Sequence, residues 1–96
     1  LPASVTHNTQ ESNNRPNVTL KLKIAPEMTY RVIDEFDEDE AERNSDGSFT
    51  ITVTWPEDEW VYGTILSYGE FIEVLEPKRI REIVREKAKK FFEKNL

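Results

Sequence analysis

No cysteine occurs in this sequence, and its single histidine, His7, stands in a polar N-terminal stretch. The first absence removes disulfides and every thiolate metal site. The second leaves the folded part without a Ser-His-Asp triad, a His-rich zinc site or a histidine pH switch. Lack of cysteine also agrees with a reducing compartment, so the chain reads as cytoplasmic. Glycine is scarce, at three residues, and none stands in a glycine-rich loop that would cradle phosphate. No apolar run approaches the roughly 20 residues of a membrane span, and no charged-then-apolar signal segment opens the sequence. At 96 residues the chain has room for one sheet and its helices around one nearly continuous core.

Charge is abundant and unevenly placed. Residues 17 to 76 hold 4 Lys and Arg against 15 Asp and Glu, a net of −11, whereas residues 77 to 96 hold 8 against 3, a net of +5. An acidic body repels phosphate, so no DNA binding is expected of this chain by itself. Its basic last segment is expected to lie against its own domain or against a partner of the same kind. Asp34 to Glu42 places seven acids in nine residues. That run lacks the regular ligand spacing and central glycine of an EF-hand, so it reads as solvated surface; no metal or cofactor is assigned.

Residues 1 to 16 are rich in Ser, Thr, Asn and Gln without apolar periodicity, and read as a flexible tail or interdomain linker ahead of a domain spanning 17 to 96. Val18, Leu20, Leu22 and Ile24 alternate with Thr19, Lys21 and Lys23, the period-two signature of a strand buried on one face. Pro26 suits the start of a helix whose inner stripe is Met28, Val32 and Phe36 with Ile33 beside it; Tyr30 falls off the stripe. Ala41 to Asn44 is a weak strand, joined through the Asp46-Gly47 turn to a strong one, in which Phe49, Ile51, Val53 and Trp55 alternate with Thr50, Thr52 and Thr54. Asp58 is a candidate N-cap for a helix from Glu59 to Tyr68 with Val61, Thr64, Ile65 and Tyr68 inward. Gly63 lies inside that helix at a cost of about 1 kcal/mol relative to alanine, and close approach of the sheet backbone is the expected reason.

Two elements change over within Ser67 to Pro77. Gly69 can take the left-handed conformation that ends a helix, Pro77 suits the first position of the next, and the residues between fit a short strand. From Lys78 to Leu96 the sequence is amphipathic, with Ile80, Ile83, Val84, Ala88 and Phe91 along one face and Phe92 beside it.

The resulting order of strand, helix, strand, strand, helix, strand, helix predicts an α+β fold. It is the ferredoxin-like β-α-β-β-α-β pattern with two helices on one sheet face and an added C-terminal amphipathic helix. The first strand and the Thr-rich strand are expected at the centre. The motifs Val18-Thr-Leu-Lys-Leu22, Ala25-Pro-Glu27, Val32-Ile-Asp-Glu-Phe36, Asp46-Gly-Ser-Phe49, Leu66-Ser-Tyr-Gly69 and Val74-Leu-Glu-Pro77 together resemble the C-terminal extension (WCX) domain of bacterial WYL-domain helix-turn-helix regulators. The resemblance implies a non-enzymatic module that follows upstream WYL and helix-turn-helix domains, assists homodimerisation and contributes to the effector response. Neither upstream domain is represented here, and Trp60-Val-Tyr62 is not the Trp-Tyr-Leu signature.

Two other classes compete with that reading. An RNA-recognition module would need aromatics on the open sheet face, where this sequence puts threonines. A small-ligand sensor would use Tyr30, Trp60, Tyr62 and Tyr68 as the lining of an amphipathic cleft. Catalysis has no candidate, because no nucleophile has an evident base beside it. Partner contacts are expected along the last helix at Ile80, Ile83, Val84, Phe91 and Phe92.

Overall fold

A computed structural model of the chain describes residues 16 to 96; the tail or linker expected over residues 1 to 16 lies, Pro16 apart, outside the described residues. Four strands, β1 (Asn17–Ile24), β2 (Ala41–Arg43), β3 (Phe49–Pro56) and β4 (Ile72–Glu76), form one antiparallel sheet in the order β2-β3-β1-β4. The two strands with the fullest alternation, β1 and β3, are therefore central. Their register sets apolar residues opposite each other, Leu20 against Val53 and Leu22 against Ile51, and on the other flank Leu22 meets Val74 and Ile24 meets Ile72. Each such side chain, fully buried, contributes on the order of 2 kcal/mol. The opposite face stays polar: Thr19 and Thr54 share a hydroxyl hydrogen bond of 2.9 Å there, and Thr52 is exposed.

Three helices cover the apolar side: α1 (Thr29–Glu35), α2 (Glu59–Leu66) and α3 (Lys78–Lys94). Val32, Phe36, Val61, Ile65 and Tyr68 join the strands' inward residues in a single core. Ile33, expected beside the stripe of α1, is instead 70% exposed, because the helix begins later and runs for only two turns. Pro26 starts a 3-10 turn, Pro26–Met28, in which Met28 N–H donates to Ala25 O and the Thr29 hydroxyl to Pro26 O; the α-helical repeat starts only after it.

The other helix ends follow local chemistry. Asp58 caps α2 by accepting from Val61 N–H at 3.2 Å. The helix ends at Leu66 rather than Tyr68, since Tyr68 N–H bonds three residues back to Ile65 O and Gly69 then turns at φ +62°. A 3-10 turn, Gly69–Phe71, takes the first part of the stretch expected to be strand, and Phe71 O accepts from Ala25 N–H at 2.8 Å. Pro77 caps α3 from outside it, in extended conformation, and its carbonyl accepts from both Ile80 and Arg81 N–H. Lys78 is thus the first helical residue.

The last helix lies against α2 and along the β4 edge, on the apolar side of the sheet, and Ile80 is wholly buried in the common core with Ile83 and Val84 packed against it. From Ala88 onward every residue is exposed, so the final two turns run past the body.

Candidate functional site

Two charged contacts fix where α3 lies on α2. Glu57, just ahead of α2, accepts from both guanidinium nitrogens of Arg79 at 2.6 and 2.7 Å and from the Tyr62 hydroxyl. Those hydrogen bonds, Arg79 first and Tyr62 second, hold the Glu57 carboxyl at about 2, and donation to Glu57 with partial burial pushes Tyr62 up to about 12. About two turns further along α3, Lys87 pairs with Glu59 at 2.9 Å and sits 5.4 Å from the Tyr62 ring. The acidic body and the basic helix therefore meet inside one copy. Beyond Lys87 the two helices part.

The four aromatics expected to line a cleft are not brought together. Tyr68 is buried under Arg31, whose guanidinium lies 3.9 Å from the ring centre, and donates its hydroxyl to Glu35 at 2.7 Å. Burial first, and that hydrogen bond second, raise its pKa above the ordinary phenol value. Arg31 also pairs with Glu35 and reaches Ser67 O and Oγ at 3.2 and 3.1 Å, so this cluster ties α1 to the end of α2. Tyr62 belongs to the Glu57 clamp. Trp60 stands mostly exposed with its ring edge-on to Trp55 at 5.2 Å, and Trp55 in turn stacks on Phe36. Tyr30 is 63% exposed on the outer side of α1.

The residues expected as a partner-facing stripe on α3 divide into two groups. Ile80 has no accessible surface left to offer, and Ile83 and Val84 are half-buried against the same core. Phe91 and Phe92, at 69% and 63% exposed, remain open with Leu96.

Where α2 and α3 part, a groove of about 520 Å³ opens, lined by Gly63, Leu66, Ser67, Gly69, Ala88 and Phe91. Gly63 has a different setting from the expected one. A Cβ built there meets nothing within 4 Å, so the sheet backbone does not approach it; the position faces the groove. Sequence reasoning missed this groove because its walls come from two helices 25 residues apart at their facing positions, Gly63 and Ala88. The odd glycine was the available signal.

Two features of the surface bear on other chemistry. On the open sheet face, β1 and β3 carry Thr19, Lys21, Lys23, Thr52 and Thr54 as exposed residues, with no aromatic ring among the described residues of those two strands that face this side. Among the described residues no group of three or more His, Cys, Asp or Glu side chains is placed to hold a metal ion, and no helix is long and apolar enough to cross a membrane. At the tip of the β2–β3 turn, Ser48 is the one buried polar residue among those described, held by Asp46, whose carboxyl those Ser48 bonds keep below its usual value, and by Asn44.

A family model described as the WCX domain matches residues 16 to 92, four-fifths of the chain, from the start of β1 to near the end of α3. The chain belongs to the WCX domain family. Among curated proteins, none matches it. The match takes in both sides of the groove, from Gly63 to Phe91, so the groove is part of this WCX domain.

Proposed function

We propose that this WCX domain is a non-enzymatic regulatory and oligomerisation module of a bacterial, cytoplasmic WYL-type transcriptional regulator, acting behind upstream WYL and helix-turn-helix domains to support homodimerisation and the effector response. The observation that carries the reading is the exposed end of α3. Residues 88 to 96 contain Ala88, Phe91, Phe92 and Leu96, all exposed, next to an open apolar groove. Exposed aromatic surface of this kind on a soluble domain marks a contact with another chain or domain.

The fold that goes with this reading is the ferredoxin-like split pattern, supported by the strand order β2-β3-β1-β4 with every neighbouring pair antiparallel. The absence of rings on the open side of β1 and β3, among the described residues, weighs against RNA recognition by base stacking on the two central strands. A ligand sensor built from Tyr30, Trp60, Tyr62 and Tyr68 gains no support from their positions, because Tyr68 and Tyr62 serve helix–helix contacts.

Sedimentation of the chain, intact and truncated after Lys87, tests the oligomerisation reading. Dimers by the intact chain and monomers by the truncated one are expected. A monomer in both cases at 100-fold above micromolar concentration would remove the oligomerisation role.

A further inference from the structure

We infer that the groove between α2 and α3 seats helix α1 of a second copy of this chain, Tyr30 and Ile33 entering the groove while the bases at the end of α3 face the acids that follow α1. This rests on the oligomerisation reading and supplies its contact surface.

Gly63 is the first ground. Its backbone does not take a positive φ and nothing lies within 4 Å of where its Cβ would be, so neither conformation nor packing inside the domain calls for glycine in the middle of α2. A helical glycine with no internal reason is accounted for by a neighbour that approaches from outside. The groove it opens into has Leu66, Ala88 and Phe91 on its walls, and its volume of about 520 Å³ has room for more than one side chain.

Charge decides the occupant. Residues 85 to 94 hold Arg85, Lys87, Lys89, Lys90 and Lys94 against Glu86 and Glu93, and only Lys87 has an ion-pair partner among the described residues. Pairing two α3 ends with each other would therefore set like charges face to face. The complementary surface is on the same chain. Tyr30 and Ile33, 63% and 70% exposed, are three residues apart on one side of α1, and Asp34, Asp37, Glu38 and Asp39 beside them are exposed with no ion-pair partner among the described residues.

These two surfaces do not meet within one copy. Arg31 of α1 bonds Ser67, itself a wall of the groove, while α3 packs on α2 through Glu57, Glu59 and Tyr62. Helices α1 and α3 thus both abut α2. A two-fold axis over α2 brings α1 of each copy onto the groove of the other, so that the contact is made twice and closes.

Sedimentation velocity on the 96-residue chain tests this with two charge-reversed variants. One carries Lys89→Glu, Lys90→Glu and Lys94→Glu; the other carries Asp37→Lys, Glu38→Lys and Asp39→Lys. Each alone is expected to raise the dimer Kd at least 10-fold, and an equimolar mixture to restore a heterodimer, because both contacts then pair opposite charges again. Gly63→Leu, which fills the groove, is expected to weaken the dimer as strongly while circular dichroism stays unchanged. A monomeric wild type overturns the oligomerisation reading and this inference together. A wild-type dimer that survives the α1 reversal or Gly63→Leu, or a mixture that stays monomeric, overturns the inference alone and places the interface, or the groove's occupant, elsewhere.

Discussion

Glu57 shows at the residue scale how a surface carboxylate becomes structural. Its folded value of about 2 lies below the ordinary 4.5, so its contribution to stability is complete above 4.5 and is lost as pH falls toward 2. Tyr62 moves the other way, from 10 to about 12; its contribution is complete below 10 and is lost as pH rises toward 12. The clamp between α2 and α3 is therefore whole across the neutral range. Urea melts between pH 2 and 5 should show a shallower loss of stability in Glu57→Gln than in the native chain, and Tyr62→Phe should flatten the alkaline limb instead. An unchanged acid limb in Glu57→Gln would mean that other carboxylates carry the acid transition. Two glycines make a second comparison. Gly63→Ala should stabilise the fold by about 1 kcal/mol, since the helix gains propensity and the new Cβ meets nothing. Gly69→Ala should destabilise it by about 1 kcal/mol, because φ +62° is costly for an L side chain. Thermal melts at fixed protein concentration separate the two signs.

At the element scale, the central strands carry the core. Val53 is buried opposite Leu20, whereas Thr52 points to the open face opposite Lys21. Val53→Ala should cost roughly 2 kcal/mol and Thr52→Ala less than about 1, measured by urea unfolding. Equal costs would indicate a register shifted by one residue. Helix α3 has a more divided character. Removing all of it would take Ile80 out of the core and unravel the Glu57 clamp, so deletion after Pro77 should unfold the domain rather than merely separate copies. Deletion after Lys87 removes only exposed residues and should leave the unfolding midpoint of the monomer within a few degrees of the intact chain. Alternation in β1 and β3 was readable because each strand has one wet face. The boundaries of α1 and α2 were not, since a 3-10 turn at Pro26 and a tightened last turn at Tyr68 present nearly the same inward residues as a continued α-helix, so the apolar stripe does not mark where the repeat changes.

At the scale of the whole molecule, the charge pattern predicts how the chain meets nucleic acid. With −11 on residues 17 to 76 and part of the +5 helix already neutralised by Glu57 and Glu59, duplex DNA should show no measurable binding at physiological salt in a mobility-shift experiment. A salt-sensitive shift at micromolar protein, abolished by reversing Lys89 and Lys90, would contradict that expectation and identify the end of α3 as the contact.

Periodicity and punctuation in the sequence by themselves determined the order of strands and helices, the inward residues of β1 and β3, the Asp58 cap, the turn at Gly69 and the separation of charge. All of these are local, set by alternation, capping chemistry and backbone preference within a few residues. Only the tertiary structure decided which part of α3 is core and which is surface, because a helical stripe looks the same whether its own sheet or another chain covers it. It also decided that Tyr62 and Tyr68 hold helices together and that Gly63 opens onto a groove. Those outcomes depend on where two helices, far apart in the chain, converge at Glu57 and Arg79 and part again beyond Lys87.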